Sequence, residues 1–364
     1  GLGAAAPLSM GPSLCRSIFP SRLLGSALGL SALVVAGGYA AGPTLGGLVL
    51  SVASWPWLFA LHVPLGVCAS WLAWRALPRE AGRRDGFDWR GALCSIAMLA
   101  GLFLGLDGIG HGAPTWQVLA WLGLSLLSAV LFLQRQQRAR HPLLPLSLFG
   151  ERRFTLAVSA SGLAFVGQGL AFVALSFLYQ QEMGFTPLET AWMFTPWPLA
   201  IMVVGPLAGR LADRVNPSLL ASTGLVLLLL GLAALAGLDA EAGVMDSLWR
   251  TALCGFGFGL FQPPNNREMM ASVPHARSAR ASGVMSTTRT VGQSLGVALV
   301  GAFLAAGAPV QVTLWVGAGA CVLSLAASLG RVSPAGRRQA LRISQVTTEG
   351  VAPPHRCVRP QGPT

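Results

Sequence analysis

The stretch LGSALGLSALVVAGGYAAGPTLGGLVL (residues 24–50) decides what kind of chain this is. It carries no charge from end to end, and a helix needs about 20 consecutive apolar residues to cross the hydrocarbon core of a bilayer. Nine more apolar runs of this kind follow, at 54–75, 91–110, 115–134, 154–178, 190–209, 218–238, 247–266, 281–306 and 311–330. They are continuous rather than alternating, so transmembrane strands are excluded and helices are expected. Residues 1–14 read as the end of a further helix.

Composition agrees. Only 10% of the 364 residues are charged, against roughly 25% in a soluble domain, which is too few to coat a water-facing surface. A mean hydropathy of +0.61 excludes a disordered chain. The net charge of +12 and pI near 11.2 would ordinarily suggest nucleic acid. Such a partner needs cations on one hydrated face, whereas here they lie between apolar runs, and nucleic acid is excluded. There is no lysine, and all 25 cations are arginines.

Their placement reports topology. Arg16 and Arg22 precede the first run, and the others occupy every second connection after it. Arg75, Arg79, Arg83, Arg84 and Arg90 form one group, Arg135, Arg138, Arg140, Arg152 and Arg153 the next. Arg210 with Arg214, then Arg267, Arg277 and Arg280, and finally six in the tail complete the set. The intervening connections hold Asp107, Glu182, Glu189, Asp239, Glu241 and Asp246 and no arginine. By the positive-inside rule the segment before residue 24 and the tail are both cytoplasmic. Arg75 closes its run, and only Arg250 and Arg289 fall in the interior of one. None of the cysteines (15, 68, 94, 254, 321 and 357) forms a C-x-x-C pair, so they read as small hydrophobes, with no metal or cofactor.

Within 24–50, Gly38, Gly42 and Gly46 recur every four residues, a seam along which a neighbouring helix can approach closely. Pro43 removes a backbone hydrogen bond and is expected to bend the helix. Arg289, inside the ninth run, costs at least about 2.5–3.5 kcal/mol in hydrocarbon, so it needs a partner, a wet cavity or an escape to the interface. Gln293 shares its face one turn on. Gln168, flanked by Phe165 and Phe172, and Gln262, Asn265 and Asn266, preceded by Phe256, Phe258 and Phe261, are further polar groups at membrane depth. Aromatics beside a few polar groups suit a cavity for bulky apolar or cationic compounds. His62, a lone polar residue in an apolar run, is expected to bond a neighbouring helix. Gly292-Gln293-Ser294-Leu295-Gly296 matches G-x-S-x-G, but mid-helix rather than at a strand–turn–helix elbow, so it carries no hydrolase meaning. No carboxylate sits mid-run, and no catalytic constellation occurs, so an enzyme is not expected.

Gly29, Gly38, Gly42-Pro43 and Gly46-Gly47, with their spacing, match the antiporter motif of major facilitator superfamily drug exporters. SWPWLFALHVPLG (54–66), FDWRGALC (87–94) and SGVMSTTRTVGQSLGVAL (282–299) resemble helices of the fourteen-span EmrB/QacA-type drug:proton antiporters. Gly209-Arg210-Leu211-Ala212-Asp213-Arg214 resembles the second-half copy of the family's motif A, although Asn216-Pro217 depart from it, as do Pro56 and His62 elsewhere. In that picture Gly209, Asp213 and Arg214 form a conformational latch, with Asp213 capping a neighbouring helix or pairing with an arginine.

The resemblance implies an all-α, polytopic major facilitator bundle. Residues 1–79 would be the end of the N-terminal half and 80–150 two extra central helices with a cytoplasmic linker. Residues 151–330 would be a complete six-helix half and 331–364 a disordered arginine-rich tail. Gly1–Ala5 resembles the end of motif B, so the chain is expected to start within the fourth helix, as a fragment or through a late gene start. It implies proton-coupled export of drug-like or amphipathic molecules by alternating access, in the bacterial cytoplasmic membrane. The partners are then the substrate, protons and lipid, with a periplasmic adaptor left open. The proton carrier is expected in the earlier helices, so this chain alone is expected not to couple. A sensor or assembly factor built on a decayed transporter is the rival, and a polar, water-accessible interior lined by Gln168, Arg289 and Gln293 would tell against it.

Overall fold

A computed structural model describes residues 2–77, 88–139, 142–238 and 242–332. The arginine-rich tail from 333 onward and several loop arginines and acids, Arg79, Arg83, Arg84, Arg140, Asp239 and Glu241 among them, lie outside that description. The described residues are helical, with no strand among them. In chain order they form α1 (Leu2–Ile18), α2 (Leu24–Val52), α3 (Pro56–Ala76), α4 (Trp89–Gly110) and α5 (Thr115–Arg138). Then follow α6 (Arg152–Phe177), α7 (Pro187–Phe194), α8 (Pro196–Ala212), α9 (Pro217–Ala236), α10 (Val244–Ala271), α11 (Ser278–Ala305) and α12 (Val310–Leu329).

Local chemistry sets the ends. Pro56, Pro187, Pro196 and Pro217 start their helices, where the missing N–H costs nothing. Thr186 and Glu189 form a reciprocal capping box ahead of α7, and Asn216 Oδ1 accepts from the Ser218 N–H at the start of α9. Gly112, Gly184 and Gly307, each at positive φ, turn the chain after α4, α6 and α11, all at the Arg-poor end of the bundle.

All ten expected runs are helices, with two departures. The sixth run is broken into α7 and α8. Pro196 and Pro198 cannot donate to the carbonyls one turn back, and the chain restarts at Thr195–Pro196. Second, eight helical stretches are both long and apolar enough to cross a membrane, and α10 and α11 are not among them. Those two carry charged or amide side chains well inside their length, Gln262, Asn265 and Asn266 in α10 and Arg289 and Gln293 in α11. α10 also runs five residues past its expected end because Arg267 and Glu268 find partners there: Arg267 Nε lies 3.0 Å from Asp213, and Glu268 lies 3.5 Å from Arg153 Nη1.

The largest buried cluster is built by α6, α8, α9, α10 and α12, and includes Leu170, Leu175, Leu225, Leu228, Leu232 and Phe261. A smaller one at the Arg-rich end gathers Leu24, Leu28, Phe154, Met269 and Met270. α4 and α5 pair with each other and lean on α11, where Gly110 meets Gly301. α3 has no buried residue, though it is apolar along its length. His62 accordingly does not bond a neighbouring helix as expected. Its Nδ1 lies 2.7 Å from the Leu58 carbonyl of its own helix, and the residue is exposed. The cysteines vary: Cys254 and Cys321 are fully buried, whereas Cys68 is exposed.

Candidate functional site

α6 and α11 are held close by glycines. A Cβ on Gly169 would come within 2.3 Å of the Gln293 carbonyl oxygen, and one on Gly296 within 2.4 Å of the Val166 carbonyl oxygen. The G-x-S-x-G pattern is therefore a packing seam. This seam sets Gln168 against Gln293, whose Nε2 donates to Gln168 Oε1 at 3.1 Å.

Beside that pair opens a cavity of about 560 Å³ between α2, α6, α7, α8, α10 and α11. Its volume lies in the range of small-molecule sites, roughly 300–1,000 Å³. Phe165, Gln168, Phe172, Phe258, Gln262, Arg289 and Gln293 all line it. Arg289 Nη2 donates to Tyr39 Oη at 3.0 Å, across the cavity from α11 to α2. Its guanidinium carbon stands 5.8 Å from the centre of the Phe165 ring. Phe165 and Phe258 meet edge to face at 5.4 Å, and Phe172 stacks on Phe194 at 5.4 Å and tilts against Trp197 at 4.9 Å. The broken helix thus supplies one aromatic wall.

Asn265 is elsewhere. It donates to the Ala157 carbonyl at 3.1 Å and accepts from Arg331 Nη1 at 2.9 Å, in a buried polar cluster at the Arg-rich end. Arg331 also donates to Ser328 Oγ, which bonds Ser222 Oγ. Burial lowers the Arg331 pKa to about 10, against the opposing pull of Glu268, so it stays charged at neutral pH. Phe256 is exposed, and Phe261 belongs to the core.

Glycine contacts and a carboxylate join α2 to α8 below the cavity. A Cβ on Gly209 would lie 2.4 Å from the Gly25 carbonyl oxygen and 2.9 Å from Gly29 Cα, so only glycine permits this approach. Asp213, at the end of α8, receives the N–H groups of Gly25 and Ser26, each at 2.8 Å, and the Ser26 hydroxyl at 2.7 Å. It satisfies orphan donors at the first turn of α2, where the helix dipole favours an anion. Arg267 Nε completes the set at 3.0 Å from Oδ1. Arg214 is exposed and makes no ion pair among the described residues. Of the antiporter-motif positions, Gly29 is tightly packed, a Cβ on Gly46 would just touch Leu58, and Gly38 and Gly42 have nothing within 4 Å among the described residues. Positions 43 and 47 are described only as backbone within α2.

Sequence reasoning missed Tyr39, Phe194, Thr195 and Trp197. The signal for the last three was the Thr195-Pro196-Trp197-Pro198 run, which breaks a helix at membrane depth. Tyr39 carried no such mark.

Membrane-length helices around an amphipathic cavity, with amides, a phenol and a guanidinium in its wall, are the build of a membrane transporter. The sequence comparisons say which one. The family model for the Major Facilitator Superfamily matches residues 1–297, and the chain belongs to that family. It is 40% identical to the "Uncharacterized transporter YebQ" of Escherichia coli over 84% of this chain and 67% of that protein. It is 30% identical to the multidrug resistance protein Stp of Mycobacterium tuberculosis, over 84% of this chain and 57% of that one. The tetracenomycin C resistance and export protein of Streptomyces glaucescens is 29% identical over 94% of this chain and 62% of its own length. The chain therefore spans between about half and two thirds of the curated relatives it matches. It is an integral membrane protein of a transporter family, and not of an enzyme family.

Proposed function

We propose that this chain carries the substrate cavity of a secondary active exporter for drug-like or amphipathic molecules, of the fourteen-span EmrB/QacA type. The cavity carries the reading. It sets the Gln168–Gln293 pair and the Arg289–Tyr39 pair in a wall that is otherwise mostly aromatic and aliphatic. The relatives named for multidrug resistance and for tetracenomycin C export support the substrate class. By the positive-inside rule the arginine distribution supports a cytoplasmic position for the Asp213 contact, with the cavity beyond it. Alternating access then consists of opening this contact, with Gly209 and Asp213 as the latch and Arg267 as its arginine. Proton coupling needs a titrating carboxylate or histidine. Among the described residues none lines the cavity, and that role stays unassigned.

Everted vesicles from cells producing the chain test this reading. An amphipathic fluorescent dye should enter them down its own gradient faster than it enters vesicles lacking the chain, and Ala36→Trp, which fills the cavity, should abolish that gain. A folded chain that binds dye in its cavity but moves none would overturn transport and favour the rival, a non-transporting sensor or assembly factor.

A further inference from the structure

The cavity wall holds one permanent charge, and it is positive. Tyr39, Thr195, Gln168, Gln262 and Gln293 are its neutral polar members, and no Asp or Glu is among the lining residues described. Arg289 has no carboxylate within ion-pair distance among the described residues, and every other arginine in contact with a carboxylate sits at a bundle end. Its partners are a phenol oxygen and a ring face, so it stands half-buried on the wall with no counter-charge beside it.

A lone cation in a low-dielectric wall raises the energy of a second cation entering beside it, and lowers that of an anion by the same law. The aromatic surfaces alone would suit cationic compounds, as the composition of the runs suggests. The charge decides otherwise, because cation–π attraction amounts to about 0.5–2 kcal/mol while two like charges at 4 Å repel by about 4 kcal/mol at an effective dielectric of 20. Arginine is also the cation whose planar fork matches a carboxylate or sulfonate in two parallel hydrogen bonds.

We infer that the cavity selects amphipathic organic anions: a flat aromatic body seated against Phe172, Phe194 and Trp197, and a carboxylate or sulfonate on Arg289. Arg289 is then the specificity-determining residue, with Tyr39 holding its guanidinium until the ligand arrives. This inference rests on the cavity being the substrate site.

The test uses two fluorescent probes that share one aromatic body, 1-pyrenebutyrate and 1-pyrenebutyl-trimethylammonium. They are titrated onto the purified chain in phosphatidylcholine nanodiscs, whose lipid carries no net charge. Pyrenebutyrate should bind at least about tenfold tighter than the ammonium probe, a difference of about 1.4 kcal/mol. Arg289→Gln should erase the preference, and Arg289→Lys should keep part of it. Arg214→Gln, which removes an exposed arginine outside the cavity, should leave it intact. If Arg289→Gln does not fold, Ala40→Asp places a carboxylate on the cavity wall and should weaken pyrenebutyrate alone. Equal binding of the two probes, or a preference for the ammonium, overturns the anion assignment while the cavity reading stands. So does an equal loss in Arg214→Gln, which would make the preference a matter of overall charge. Binding of neither probe overturns the cavity reading together with the anion assignment.

Discussion

Two aspartates do nearly the same chemistry in two regions of this molecule. Asp213 meets the first turn of α2 and an arginine of α10, and its side chain is 8% exposed. Asp88 caps α4 by accepting from the Gly91 N–H at 3.1 Å, and meets Arg135 Nε at 3.0 Å and Gln136 Nε2 at 3.4 Å from α5. The difference is what each one joins. Asp88 ties a helix to its own hairpin partner, whereas Asp213 ties α8 to the start of α2, 187 residues back, and to Arg267 of α10, 54 residues on. A carboxylate at a helix start is therefore no guide to function until its partners are known. Within a hairpin it is a clip, and between elements that the proposed alternating access would separate it is a catch.

Four experiments would break or sharpen this contrast. The largest effect belongs to Gly209→Leu. A side chain there collides with the α2 backbone, and overpacking typically costs about 1–3 kcal/mol or more. Dye transport should be lost, and the melting temperature in nanodiscs should fall by roughly 5 °C. Next comes Asp213→Asn, which keeps the shape and removes the charge. It should cut transport by about tenfold, the worth of one charge-assisted hydrogen bond, with little loss of folded protein on size exclusion. Unchanged transport would demote the contact to a clip.

Asp88→Asn should leave transport alone and lower thermal stability, with a definite pH dependence. Burial pushes the Asp88 carboxyl up, but the Gly91 N–H, Arg135 and Gln136 outweigh that and hold it below the usual range. Its folded pKa thus lies below its unfolded value of about 3.9. The stabilisation is complete above that value and is lost as the pH falls through the folded pKa. Melting curves of the two proteins should differ at neutral pH and converge in acid. Smallest of all, Arg214→Gln should change neither transport nor melting, because the side chain is exposed and Asp213 takes its arginine from α10.

Much of the fold was legible because the bilayer imposes a length and a polarity on each helix. The ten runs and their alternating arginines needed nothing else. What stayed hidden was which apolar helices pack and which face outward. α3 and α6 both qualify as spans, yet the best window of α6 is 61% buried and that of α3 not at all. Hydropathy measures the preference for leaving water, and lipid and protein interior satisfy it alike. Of the candidate cavity residues, seven converge on one space and Asn265 does not, because an amide at the end of a helix bonds whatever carbonyl and arginine lie beside it. The Asp213 contact was half visible. Asp213 stood out in its motif as a helix cap or the partner of an arginine, but the helix start it meets lies 187 residues back and the arginine, Arg267, 54 residues further on.

The glycine contact between α2 and α8 has a mechanical consequence. Side chains at a helix interface mesh like teeth, and a sliding helix must lift each tooth out of its socket. At Gly25, Gly29, Gly205 and Gly209 there are no teeth, only two smooth backbones touching. In the proposed alternating access the joint is a plain bearing, and the polar bonds at Asp213 are what its motion must break. An ion or ligand that competes for that carboxylate would then set the pace of the whole bundle.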